Sequence, residues 1–298
     1  MSRRASRTFH ELTTFVLFVA PNAILFLLFS YYPILKTFWM SLTDSRLFGD
    51  SPGKYSGENY AALWSDSTFW HVVSNTLLYA VLVIVTAQGI GFLLAILLNR
   101  PIPVRAVFRT LCFTPHVVTP AAAALVWILV LDPRLGPLAP MFRLLGADDR
   151  PWVGLSHLSL YAIVVVGVWK EIGFSAIFFL AGLQGLPKEC LEAARLETSS
   201  RWMVLRHITL PLMTPIFFFL LVTGFIASIK VFDLVLIMTK GGPVYPDSST
   251  YVYHLYRLAF QDFRAGYASA FAIVFFVVAL LVTAIQFRLA RRWVHAGE

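Results

Sequence analysis

Six long apolar stretches interrupt this sequence, and they limit its possible folds more than any motif does. They are Thr14–Tyr32, Val72–Leu98, Val107–Leu131, Leu158–Leu183, Leu212–Met238 and Tyr267–Arg288. Each is close to or beyond the roughly 20 residues that carry an α-helix across a bilayer. Within hydrocarbon every backbone N–H and C=O needs a partner inside the protein, so these stretches are expected to be helices. The alternation of a β-barrel strand is absent. Composition agrees: 58% of the 298 residues are hydrophobic and only 13% are charged. One soluble core of this size cannot hide so much apolar sequence. The expected fold is all-α, a polytopic membrane protein with six transmembrane helices in a single domain spanning residues 1–298.

Charge placement gives the orientation. The formal net charge is +8, which by itself would also suit a nucleic-acid partner. Its distribution points to a membrane instead. With the N-terminus inside, the inward segments hold thirteen Lys and Arg, from Arg3 through Arg105, Lys188 and Arg206 to Arg292. The outward segments hold nine, from Lys36 through Arg143 to Arg264. Lys and Arg concentrate on cytoplasmic loops, so both termini are expected in the cytoplasm of a multi-pass cell-membrane (inner-membrane) protein. Arg3, Arg4 and Arg7 precede the first stretch as in a signal peptide, but Tyr31-Tyr32-Pro33 follows where a small-residue cleavage site would stand. The first stretch is therefore expected to be an uncleaved anchor.

Catalytic signatures are missing. No Gly-x-x-x-x-Gly-Lys-Ser/Thr phosphate loop occurs. His10-Glu11 opens a zinc-protease-like string, but Thr14 stands where its second histidine belongs. Gly154 to Leu158 begins like a nucleophile elbow and lacks the closing glycine. Cys112 and Cys190 have neither paired spacing nor histidines beside them, so neither a disulfide nor a metal site is expected. No cofactor is expected in this chain.

The informative loop is 184–211, the one long inward segment. Pro187 suits the first turn of a helix, and Lys188 to Glu197 are mostly good helix formers. Ser199 or Ser200 can cap a second short helix running through His207, and Pro211 leads into the fifth stretch. The residues alone fit a helix–turn–helix at the membrane surface. Whether it is only a connector stays open at this level.

Glu192-Ala193-Ala194, followed by Ile208-x-Leu210-Pro211, resembles the EAA loop of permease subunits in binding-protein-dependent bacterial ABC importers. Gly57-Glu58-Asn59-Tyr60, Asn75-Thr76-Leu77, Gly241-Gly242-Pro243 and Gly266-Tyr267-Ala268-Ser269-Ala270 resemble the carbohydrate-importer branch. Within that branch, Trp169-Lys170-Glu171-Ile172, Phe178-Phe179 and the end of the last stretch at Gln286-Phe287-Arg288 look most like the glycerol-3-phosphate permease subunits. The resemblance implies a permease domain that couples to an ATPase through Glu192, Ala193, Ala194, Glu197, Thr198, Leu210 and Pro211. It implies two ATPase subunits that bind ATP and magnesium, a second homologous permease subunit and an extracytoplasmic solute-binding protein. Ala193 and Ala194 would be small enough for the ATPase to approach closely. The sequence departs from the family pattern at Thr198, where glycine is usual, and at Glu197, where aspartate is usual. Thr in the left-handed conformation costs roughly 1–2 kcal/mol, so this turn is expected to take another shape.

Charges inside the stretches are expensive and normally face a cavity or a partner. Lys170 and Glu171 lie in the fourth stretch, Lys230 and Asp233 in the fifth. On a continuous helix Lys230 and Asp233 share a face, whereas Lys170 and Glu171 point about 100° apart. The four form either structural ion pairs between helices or a candidate translocation path with Trp169 and Phe232, whose rings could stack on a sugar or polyol or could simply pack. The same four charges would be the ion-coupling set of a secondary transporter, the alternative reading, and an intramembrane enzyme is a third. For topology, single-cysteine labelling in a chain lacking Cys112 and Cys190 is expected to modify positions 58 and 148 from the external side. Rapid modification from the cytoplasmic side only would reverse the orientation.

Overall fold

In the computed structural model the described residues are 2–44, 55, 57–100, 105–144, 150–198 and 200–293. Arg46, Asp50, Lys54, Asp148, Asp149, Ser199 and Glu298 lie outside them, as do the side chains of residues 2–13, 105, 195 and 291–293. The described residues are overwhelmingly helical and contain only one isolated bridge pair, Thr43 with Tyr55. Four helices are long and apolar enough to cross a membrane, and two bent pairs bring the count to six.

The chain divides into two compact units. The first comprises residues 1–65 and 255–276. It opens with α1 (Ser2–Phe26), a π-helical turn (Leu27–Tyr31) and α2 (Tyr32–Ser41). Together they form a membrane span over Thr14–Ser41, longer than the expected Thr14–Tyr32 because the helix continues through Pro33. A proline ring collides with the carbonyl four residues back, here that of Phe29. The π turn widens the helix there, with the Tyr32 N–H reaching the Leu27 carbonyl. The short helix α3 (Glu58–Ser65) then closes the end of α2. Asn59 Nδ2 donates to the carbonyls of Ser41 and Thr43, both at 2.9 Å, and Tyr60 Oη shares a 2.7 Å hydrogen bond with Ser41 Oγ. These bonds give the Gly57–Tyr60 motif a structural role.

The second unit comprises residues 66–254 and 277–298. Its helices are α4 (Ser67–Leu98), α5 (Arg105–Val117), α6 (Pro120–Val130), α7 (Ala139–Leu144), α8 (Ser156–Gly185), α9 (Lys188–Glu197), α10 (Arg201–Val204), α11 (Leu210–Leu212), α12 (Thr214–Ile229) and α13 (Asp233–Met238). Two further helices, α14 (Tyr251–Phe260) and α15 (Ala265–Trp293), contribute residues to both units. Helix α8 is the centre of the second unit. It packs lengthwise on α4 and also meets α5 and α12. Glycine permits the closest approaches. A Cβ on Gly91 would sit 2.7 Å from the Ser175 Cβ, and one on Gly173 would collide with the Cys112 carbonyl. Small residues at helix contacts are how membrane helices gain packing where water supplies no driving force.

Pro115, Pro120 and Pro215 predict bends in the third and fifth spans, Val107–Leu131 and Leu212–Met238; the structure has them, and it also breaks the fifth span where no proline stands. In the third, Ala106–Val117 and Pro120–Val130 meet at 100°. Pro120 lacks the N–H that would continue the helix, and it drives Thr119 to ψ 141, where its side chain caps α6 by accepting from the Ala122 N–H at 3.4 Å. In the fifth, α12 stops at Ile229, residues 230–232 leave the helix, and α13 restarts at Asp233. The run Arg201–Leu212, which passes His207 and includes a π turn over Leu205–Thr209 before Pro211, also bends by 61° at the fully buried Met213 into α12. Gly173→Ala is expected to lower stability in detergent by about 1–3 kcal/mol as α8 is pushed off α5. Gly89→Ala, where an added Cβ meets nothing within 4 Å, is the control and should show no loss in a thermal melt.

Candidate functional site

Two adjoining cavities lie inside the second unit, and both breaks contribute to them. The first, about 190 Å³, is lined by residues including Tyr79, Pro120, Gly167, Lys170, Glu171, Ser228, Lys230, Phe232 and Asp233. The second, about 160 Å³, includes Gln88, His116, Glu171, Phe174, Thr223 and Ser228. Val83, Glu171, Ala227 and Ser228 belong to both walls, so Glu171 stands where the cavities meet.

Lys170 and Glu171 are neighbours in sequence with separate tasks. Lys170 is 9% exposed, and its ammonium turns onto the end of α5. Nζ donates to the carbonyls of Pro115 at 3.2 Å and His116 at 3.4 Å, and to that of Val118. These are carbonyls that the bend leaves without helical donors. His116 would be served by residue 120, which is proline, and the Ala122 N–H that would serve Val118 is taken by Thr119 Oγ1. An ammonium has three donors, and here three acceptors face it. Lys170 is thus a cap on the broken third span, and its charge is spent on backbone. Glu171 instead faces His116, Oε1 lying 3.7 Å from Nδ1, and the His116 ring stacks on Phe174 with centroids 4.6 Å apart.

Lys230 and Asp233 do not share a helix face as expected, because the helix ends between them. Lys230 closes α12 and Asp233 begins α13. Both are exposed and both line the first cavity. Among the described residues no ion pair joins them. Phe232 also lines that cavity, in the break itself. Trp169 does not line either one. It belongs to the packed core, edge-on to Trp127 with centroids 5.6 Å apart. Tyr79, Gln88, His116 and Ser228 line these walls and were not singled out from sequence. A polar residue inside an apolar helix was the available signal for Gln88 and His116.

The 184–211 loop forms the helix–turn–helix. Pro187 is the N-cap of α9 and not a residue of its first turn. Glu192, Ala193 and Glu197 are exposed, whereas Ala194 is 4% exposed and faces its own subunit. Only Ala193 of the two alanines is therefore placed for close approach by another chain. Thr198 sits at φ −147, ψ 139, an extended conformation, so the turn avoids the left-handed shape that glycine would supply. Its Oγ1 accepts from the Ser200 N–H at 3.2 Å, and Ser200 caps α10. Leu210 and Pro211 form the elbow that leads to the 61° bend.

In the second unit two broken helices line a small polar cavity, and an exposed helix joins the fourth and fifth spans; discontinuous helices around a polar site are an arrangement that membrane transport proteins use. The chain belongs to the family of binding-protein-dependent transport system inner membrane components, whose model matches residues 87–295. It is accordingly a multi-pass protein of the inner membrane and a transport component, not an enzyme. It is 31% identical over 282 residues to the sn-glycerol-3-phosphate transport system permease protein UgpA of Rhizobium meliloti, covering 94% of this chain and 96% of the relative. The probable ABC transporter permease protein YurN of Bacillus subtilis is also 31% identical, over 276 residues, with 91% and 94% coverage. The fold of the present chain matches a chain of a bacterial ABC transporter involved in import of the acidic polysaccharide alginate, with TM-score 0.84, 23% identity, and 97% and 99% coverage.

Replacing Lys170 by Met keeps the stem and removes every donor. Each buried carbonyl left unpaired costs about 1–3 kcal/mol, so Lys170→Met is expected to lower thermal stability sharply in detergent, with Lys170→Arg intermediate. A variant that melts like the wild type but responds differently to solute would return Lys170 to the translocation path.

Proposed function

We propose that this chain is one permease half of an ATP-driven importer with both termini cytoplasmic. It works with a second homologous permease, two ATPase subunits that bind ATP and magnesium, and a solute-binding protein on the outer side. The observation that carries this reading is helix α9: it presents Glu192 and Ala193 outward from the 184–211 loop, in a chain with no phosphate loop of its own. Force must then enter from a partner. ATP closes the ATPase pair, α9 follows the cleft that holds it, and the elbow at Leu210-Pro211 passes the motion to the fifth span.

The solute is a hydrophilic carbohydrate or polyol phosphate, with glycerol-3-phosphate or a glycerophosphodiester ahead of a plain sugar. Likeness to permeases named for sn-glycerol-3-phosphate supports this preference. Cavity chemistry supports weak contact with the anion. Lys170 is committed to carbonyls, while Lys230 is accompanied by Asp233 and Glu171 in the same wall. Firm recognition of the phosphate then belongs to the binding protein, where full hydrogen bonding is available. In proteoliposomes containing the complex and its own binding protein, ATP-dependent uptake of glycerol-3-phosphate or glycerophosphocholine is expected. Glu192→Lys should abolish it with the subunit still inserted. Vigorous maltose uptake with no response to either phosphate compound would overturn the solute preference, and uptake that persists without any ATPase subunit would favour the secondary-transporter reading.

A further inference from the structure

The segment after the fifth span is tied to the cavity through one buried hydroxyl. Residues 239–250 reverse direction through Gly241 and Gly242, at φ 92 and φ 115. Conformations of this kind suit glycine, and a Cβ on Gly241 would sit 2.9 Å from the rings of Tyr245 and Tyr253. The rest of the segment is pinned from inside. Asn75, on α4, points its amide at the carbonyls of Pro246 and Asp247, each at 3.1 Å, and of Ser249 at 3.2 Å. The next residue, Thr76, accepts from the Tyr251 N–H at 2.8 Å. Ser248 Oγ donates to Thr239 Oγ1 at 2.7 Å. Ser248, Ser249 and Thr250 are all fully buried.

Thr250 reaches furthest. Its Oγ1 donates at 2.9 Å to the carbonyl of Val231, in the break between α12 and α13. Val231 and its neighbours Lys230, Phe232 and Asp233 are cavity-wall residues. The break thus draws a donor from the segment that follows it, and that segment is held by Asn75.

We propose that Thr250 is a positioning residue for translocation: through the Val231 carbonyl it sets where the break, and with it Phe232, stands against the cavity, and Asn75 fixes the segment 246–250, and so the hydroxyl, to α4. The proposal rests on the reading of the cavity as the solute path. A displacement of the segment, such as a docked binding protein would impose, moves the hydroxyl and therefore the wall. The same tether holds the wall still when nothing is docked.

The test uses the complete importer in proteoliposomes with its ATPase subunits and binding protein. Thr250→Val keeps the shape and loses the donor, while Thr250→Ser keeps the donor. Thr250→Val is expected to lower solute transported per ATP hydrolysed by at least about fivefold, the scale set by one unpaired buried carbonyl, with Thr250→Ser near wild type. Equal coupling ratios for Thr250→Val and wild type, or equal impairment of the Ser and Val variants, would overturn the proposal. A second arm needs neither partner nor solute. In the full-length chain lacking Cys112 and Cys190, with Phe232→Cys as reporter, the thiol-labelling rate is expected to change severalfold when Thr250→Val or Asn75→Leu is added. An unchanged rate overturns the tether, even if Thr250→Val fails to assemble into the complex. A changed rate with an unchanged coupling ratio overturns the role in transport while leaving the tether in place.

Discussion

A carbonyl that leaves a helix inside a bilayer has no water to turn to, and the second unit is arranged around that fact. Two of its spans break in mid-course. Each break exposes backbone acceptors at a depth where an unpaired group costs several kcal/mol. In each case a side chain from another element supplies the donor. Lys170, from the central helix, serves the third span with three hydrogen bonds; Thr250, from the segment after the fifth span, serves that span with one. The cavities lie beside these repairs because irregular backbone in a membrane survives only where protein or a lined space surrounds it.

The two repairs differ in kind. Lys170 brings a full set of ammonium donors from a helix held closely against α5 by Gly173, so it caps rigid packing. Thr250 brings a single hydroxyl from a segment whose own position depends on an asparagine amide and a serine. The third-span break is therefore anchored to the core, and the fifth-span break to a segment outside the helices. Lys230, Phe232 and Asp233 therefore stand on the part of the wall held by that single hydroxyl.

Much of this was legible in sequence. The apolar lengths point to the four long helices and the two bent pairs, Pro120 and Pro215 mark two of the bends, and the 184–211 loop reads as two helices with an unusual turn at Thr198. Helix continuity was not legible. Treating the fifth stretch as one helix put Lys230 and Asp233 on one face, but spacing arguments hold only while the helix does. The carbonyl partners of Lys170 were not legible, because nothing local reveals acceptors more than fifty residues earlier in the chain. Ala194 read as a docking surface because a ten-residue helix offers two faces and the sequence does not say which one packs inward. The motifs Asn59-Tyr60 and Asn75-Thr76 carried likeness without mechanism until their hydrogen bonds to distant carbonyls were visible.

The π turns have a consequence for reading the faces of the spans. One covers Leu27–Tyr31 and the other Leu205–Thr209, and each ends two residues before a proline, Pro33 and Pro211. Each places one extra residue in a turn, and an α-helix advances about 100° per residue. Side chains beyond the turn are therefore rotated by roughly that angle from where an unbroken 3.6-residue count puts them. A helical wheel drawn straight through Thr14–Ser41 assigns Ile34, Thr37 and Ser41 to the wrong side relative to the residues before Leu27. Phase, as well as length, has to be reset at those two prolines before any stripe of residues along these helices is taken to face a common neighbour.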